Sequence, residues 1–152
     1  MNMMQMTGAG SAKDHNALIT ILSTQSMAGN RDGVELVTEG NYSVDNDGVH
    51  LSYMESELTG LAGTKTDIMV KADEVIMSRR GAVTTDMVFQ KGRRHHFAYQ
   101  TAIGTLTMGL ATHRVNSDMG EKGGNMEIVY DINFDRALCS RNMFRINVRP
   151  LN

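Results

Sequence analysis

From Ala17 to Arg149 the chain keeps a two-residue rhythm of apolar and polar side chains, interrupted only by turns and loops. No other feature constrains the fold as tightly. Successive side chains of a strand point to opposite faces, so this rhythm specifies strands with one dry face and one wet face. Met126, Ile128, Tyr130, Ile132 and Phe134 share a face opposite Glu127, Asp131 and Asn133, while Phe144, Ile146 and Val148 oppose Arg145, Asn147 and Arg149. The breaks carry turn chemistry: Gly29-Asn30-Arg31-Asp32-Gly33, the hairpin signal Asp45-Asn46-Asp47-Gly48, then Asp73, Gly81, Lys91-Gly92-Arg93 and Ala102-Ile103. A longer loop spans Asn116 to Gly124.

Strands are expected over Ala17 to Ser26, Val34 to Val44 with a bend at Gly40, and onward from Val49. Others follow at Lys65 to Ala72, Glu74 to Arg80, Ala82 to Gln90, Arg94 to Thr101, Gly104 to Val115, Asn125 to Asp135 and Arg141 to Arg149. No segment has a helical period. Hairpin-linked strands of this kind do not stay flat with open edges; twist and edge protection close them. The expected fold is all-β, an antiparallel up-and-down barrel of about eight to ten strands. Short connections disfavour a two-sheet sandwich.

Composition agrees. Fifteen Gly and a single Pro, Pro150, suit strands joined by tight turns. At 152 residues one domain is expected, a disordered leader over residues 1–15 followed by a barrel over 16–152. A net charge of -2 argues against a polyanion binder. The lone Cys139 excludes an internal disulfide and suits a reducing compartment. Without a secretory signal or a long apolar run, the expected location is cytoplasmic, with no membrane partner.

The stretch Val49 to Thr64 poses the chemical question. Val49, Leu51, Tyr53 and Glu55 share one face, so a dry stripe ends in a phenol and a carboxylate. A carboxylate there is costly unless paired. Applying parity to the other strands puts Arg79 with Val75 and Met77, Thr101 with Phe97 and Tyr99, and Thr112 with Leu106, Met108 and Leu110. Arg79 is the natural partner for Glu55, because a planar guanidinium can satisfy both carboxylate oxygens. Tyr53, Glu55, Arg79, Tyr99, Thr101 and Thr112 are therefore the candidate ligand-binding residues. The same groups could instead satisfy one another and fix strand register.

Other chemistry finds little support. There is no catalytic triad order, carboxylate pair or cysteine nucleophile motif, so no catalytic residue is assigned and enzyme activity is not favoured. His95 and His96 are adjacent and project to opposite faces, and His15, His50 and His113 are isolated, so no metal or cofactor is expected. The basic turn Lys91-Gly92-Arg93-Arg94-His95-His96, with Arg136, Arg141, Arg145 and Arg149, lacks interleaved aromatics for base stacking.

A family resemblance rests on ordered short motifs. Gly40-x-Tyr42, Leu51-Ser52-Tyr53-x-Glu55, Thr59-Gly60-Leu61 with Gly63-Thr64, Arg79-x-Gly81, Phe89, Tyr99-x-Thr101-x-x-Gly104 and Thr112 together resemble the YwiB-like family of bacterial proteins, over about Ala17 to Val148. One departure is Ala102, where that pattern has Pro before the glycine turn. The resemblance implies a calycin-type β-barrel, similar in shape to lipocalins and fatty-acid-binding proteins, and no established activity.

Two functions stay open at this point. One is a barrel that binds a small, partly polar or anionic ligand in its interior. The alternative is a filled barrel that engages RNA or a protein partner through its basic turn and C-terminal arginines. Monomer and homodimer are both compatible with the sequence.

Overall fold

A computed structural model of the chain describes residues 4–6, 15–134 and 137–151. The strands in chain order are β1 (Met4–Met6), β2 (Ala17–Met27), β3 (Asn30–Asp45), β4 (Gly48–Met54), β5 (Lys65–Val70), β6 (Val75–Arg80), β7 (Val83–Phe89), β8 (Arg94–Thr101), β9 (Gly104–Ser117), β10 (Gly124–Phe134) and β11 (Ala137–Pro150). There is no α-helix among the described residues, only a 3-10 turn at Glu57–Thr59 between β4 and β5.

The ten strands β2 to β11 close into a ring. Each pairs antiparallel with its chain neighbours, and β11 returns to β2 through Ala17↔Pro150 up to Ser26↔Arg141. At one corner β3 changes partner. Its residues Asn30 to Gly40 pair with β2, and Asn41 to Asp45 pair with β4. Gly40 sits at the hand-over, where an added Cβ would collide with the Ser52 carbonyl oxygen and with Ile19 Cδ1. The glycine bend expected from the sequence is thus a close backbone crossing. The β7–β8 ladder is short, with Val83 opposite Thr101 and Thr84 opposite Gln100.

Of the expected leader, residues 1–3 and 7–14 lie outside the described residues. Met4–Met6 runs parallel to β3, with Met4↔Leu36, Gln5↔Val37 and Met6↔Thr38.

Some hairpins are taller than their sequences suggest. The turn expected over Gly29 to Gly33 shrinks to Ala28-Gly29, both with positive φ (48° and 84°). That geometry matches strand twist, so pairing continues up to Met27↔Asn30. β11 likewise begins at Ala137 rather than Arg141, and β9 runs on to Ser117. The β2–β3, β8–β9 and β10–β11 turns all lie at one end, here called upper. On β8–β9, residues 102–107 are all exposed, Ile103 at 98%.

Alternate side chains fill the ring. Ile19, Leu36, Ile68, Met77, Phe89, Ile128 and Ile146 are each at most 2% exposed. At roughly 25 cal/mol per Å² of apolar surface removed from water, this core is the main favourable term in folding. The lower end is tied across: Tyr42 Oη donates to Gly120 O at 2.6 Å, and Asn16 makes two 2.8 Å bonds with the Tyr42 backbone. The outer wall carries ion pairs, among them Arg80–Asp86 at 2.9 Å and Arg141–Asp131 at 2.8 Å. A barrel that spans a membrane has the reverse arrangement, an apolar outside. No helix among the described residues is long and apolar enough to cross a membrane.

Candidate functional site

The polar groups inside the ring gather toward its upper half, where four strands meet in register: Tyr53↔Thr66, Thr66↔Arg79 and Arg79↔Thr85. Side chains directly opposite one another on one face lie close enough to interact. Just past β4, Glu55 is turned inward with its carboxylate buried. The chain there is fixed by Glu55 N donating to Thr64 O at 2.8 Å. Ser56 caps the 3-10 turn by accepting from Leu58 N at 3.1 Å, and Thr64 Oγ1 accepts from Ala82 N at 3.0 Å. The stretch from Gly60 to Thr64 is accordingly a pinned turn leading into β5.

The pairing inferred from parity is present. Arg79 Nε lies 3.6 Å from Glu55 Oε2, with the Glu55 side chain 3% exposed and that of Arg79 21%. The two-pronged geometry expected of that pair does not form. Thr66 Oγ1 takes the hydrogen bond to Glu55 Oε2, at 2.5 Å, and Arg79 Nε is buried without a hydrogen-bond partner. Tyr53 packs against the same carboxylate. Burial pushes its phenol far above the usual range, Glu55 adds to the rise, and Arg79 opposes it. Burial likewise raises the Tyr130 phenol, again opposed by Arg79, so the guanidinium reaches toward the far wall. There the Tyr130 ring meets Phe89 edge-on at 4.9 Å.

Beside this cluster the upper mouth holds a pocket of about 290 Å³. Arg79, Tyr130 and Asn142 border it from within, and Ser23, Val34 and Thr59 from the rim. Its size falls just below the usual range for small-molecule pockets, which suits only a small ligand.

The other candidates separate. Thr112 is buried with its hydroxyl unpaired, opposite Tyr130 in the β9–β10 register. Tyr99 is partly buried against the core. Thr101 leaves the group: its hydroxyl donates to Gly104 O at 3.2 Å and accepts from Ile103 N at 3.3 Å, which makes it a turn residue of the projecting hairpin. Leu106, assigned to the dry face with Thr112, is 49% exposed because the hairpin rises beyond the opposite wall. Thr66, Thr85, Tyr130 and Asn142 belong near the site and were not singled out. Thr66 shares parity with Ile68 and Val70, and Thr85 with Met87 and Phe89, so the same rule reaches both.

Two of the C-terminal arginines, Arg141 and Arg145, are engaged. Arg141 grips Asp131 at 2.8 and 3.0 Å, with His113 at 2.7 Å from the same carboxylate; Arg145 and Arg114 meet Glu127 at 2.6 and 2.8 Å. Arg141 is the main cause, and His113 a lesser one, of an Asp131 carboxyl held below its usual range. Arg136 lies outside the described residues. His95 contacts Gln90 at 2.7 Å, and no group of three or more metal-ligating side chains occurs among the described residues.

Residues 19–146 match the family model described as a domain of unknown function, DUF1934. The chain belongs to that family. The uncharacterized beta-barrel protein YwiB of Bacillus subtilis is 34% identical over 104 residues, 68% of this chain and 72% of the relative. The crystal structure of the Bacillus subtilis YwiB protein superposes with a TM-score of 0.81 at 27% identity, covering 91% of this chain and 93% of that one. The barrel thus matches that of YwiB, whose family the motif resemblance pointed to.

Proposed function

We propose that the upper mouth binds a small molecule carrying an oxyanion or a carbonyl group, with Arg79 as its charged contact. One observation carries this reading. Arg79 Nε and Thr85 Oγ1 are cross-strand neighbours, both buried, and both lack a hydrogen-bond partner among the described residues. Buried donors left unpaired are costly, and the great majority in folded proteins find an acceptor. Two together, with Arg79 bordering the pocket, call for one. Tyr53 and Thr112 line the same interior, and Tyr130 and Asn142 border the pocket itself.

Glu55 shares the guanidinium, which favours a singly charged or merely polar ligand over a dianion. The reading is one of binding, and no catalytic residue is assigned to the site. The lone thiol of Cys139 suits the cytoplasm as its location. A calycin-like role fits the barrel shape, as analogy alone. The alternative reading, an RNA-binding or protein-binding module through the basic turn and the C-terminal arginines, is less favoured at Arg141 and Arg145, which pair with carboxylates on the neighbouring strand, while Lys91, Arg93 and Arg94 of the basic turn are exposed.

Native mass spectrometry of freshly purified protein tests the proposal. A co-purifying small molecule retained by the wild type and released by Arg79→Met and Thr85→Val is the expected result. Equal retention by wild type and both variants would refute it.

A further inference from the structure

The upper part of β3 has one edge on β2, while its other edge, above Gly40, leaves β4 behind. That free edge carries Asn30 to Glu35, whose ladder partners among the described residues all belong to β2. Such an edge offers a row of backbone donors and acceptors to any extended segment. Next along it, at Leu36 to Thr38, a segment has already been added: β1, in parallel register. The mouth pocket opens against the same stretch, because Asp32, Gly33 and Val34 line it together with Thr59 of the β4–β5 loop. Ligand pocket and added strand therefore sit on successive stretches of β3, the pocket at Asp32 to Val34 and β1 at Leu36 to Thr38.

We infer that the upper edge of β3 is a strand-acceptor site for this chain's own N-terminal segment, and that β1, seated there, is a removable side of the mouth pocket. The inference rests on the reading of the mouth as a ligand site and adds how access to it is controlled. β1 is suited to come and go. It is three residues long and pairs with a single strand, so its opening breaks few bonds, whereas each ring strand is held on both edges. β1 and β2 lie on opposite edges of β3, so release of β1 leaves the ring closed.

The full chain tests this with two readouts on wild type, Gln5→Pro/Met6→Pro and Arg79→Met. Proline donates no hydrogen bond, and the double substitution removes donors at two of the three β1 positions. Hydrogen exchange followed by mass spectrometry reads the amides of residues 35–38. Titration with anilinonaphthalene sulfonate, an apolar dye with one anionic group, reads the pocket. In the proline variant, exchange over residues 35–38 should quicken roughly tenfold or more, with the rest of the ring unchanged. The dye should bind that variant several-fold more tightly than wild type, and Arg79→Met more weakly.

Identical exchange in wild type and proline variant would overturn the seating of β1. Faster exchange with unchanged dye affinity would overturn its role as a pocket wall. Dye binding that responds to the prolines and ignores Arg79→Met would leave the strand in place and remove the ligand site as read here. Single-proline variants repeat the test should the double variant lose the ring's slow exchange; a ring that unfolds with both singles would show β1 to be structural and overturn the inference.

Discussion

Arg79→Met isolates the pair on which the site is built. The substitution keeps most of the side-chain volume and removes the charge 3.6 Å from Glu55 Oε2. What remains is a carboxylate whose side chain is 3% exposed, held by the Thr66 hydroxyl. Breaking a buried ion pair from one side costs about 3–5 kcal/mol. The Arg79 side chain is 21% exposed, so the lower end, about 3 kcal/mol, applies here. For a chain of 152 residues that corresponds to a fall in Tm of roughly 6–12 °C. Glu55→Gln alone should cost less, about 1–2 kcal/mol, because it strands no buried anion and Gln can still accept from Thr66. The double variant should fall short of the sum by about 1–3 kcal/mol, since it leaves no unpaired carboxylate. Urea unfolding of all four proteins measures each value. Additivity within about 0.5 kcal/mol would mean that the two groups do not sense each other, and the reasoning from parity to pairing would be wrong.

Three further outcomes are expected. Gly40→Ala should lose about 3 kcal/mol or more in the same assay, because its methyl meets the Ser52 carbonyl and Ile19 at the strand hand-over. Tyr42→Phe removes the 2.6 Å bond to Gly120 O and should cost about 1 kcal/mol, with faster amide exchange confined to the Asp118–Gly123 loop. The Asp131 carboxyl is held low mainly by Arg141, so the folded state binds fewer protons than the unfolded one in mildly acid solution. Its contribution is full above the unfolded carboxyl range near pH ~4 and is lost as pH falls through the lowered folded value. Arg141→Gln should therefore flatten the acid limb of a stability–pH profile and change the profile little once the pH is below the lowered folded value, where the carboxyl is protonated in both states.

How much of this was legible in the sequence follows from what parity can and cannot carry. It places Glu55 and Arg79 on the inside, and cross-strand register brings them together. Thr66 and Thr85 obey the same rule; a hydroxyl among β-branched neighbours simply draws less attention than a charge. Parity fails at Thr101 and Leu106 because the inner face of a hairpin that outgrows the barrel is no longer an interior. The arginines show the other limit. Arg145 opposite Glu127 and Arg141 opposite Asp131 are facts of β10–β11 register, fixed by a bulge between Ile132 and Asn133 that no local pattern announces. The seating of β1 is likewise a matter of which edge is vacant, and vacancy belongs to the whole ring.

The ring is fastened between its two sequence extremes. β11 meets β2, the first strand of the ring, through ten opposed residue pairs. Until that seam forms, β2 and β10 both stand with raw edges, and only hairpin contacts between chain neighbours are in place. Folding therefore passes through a sticky, half-zipped stage in which β11 of another copy could take the vacant place. A chain deprived of β11 would be a ribbon instead of a smaller barrel.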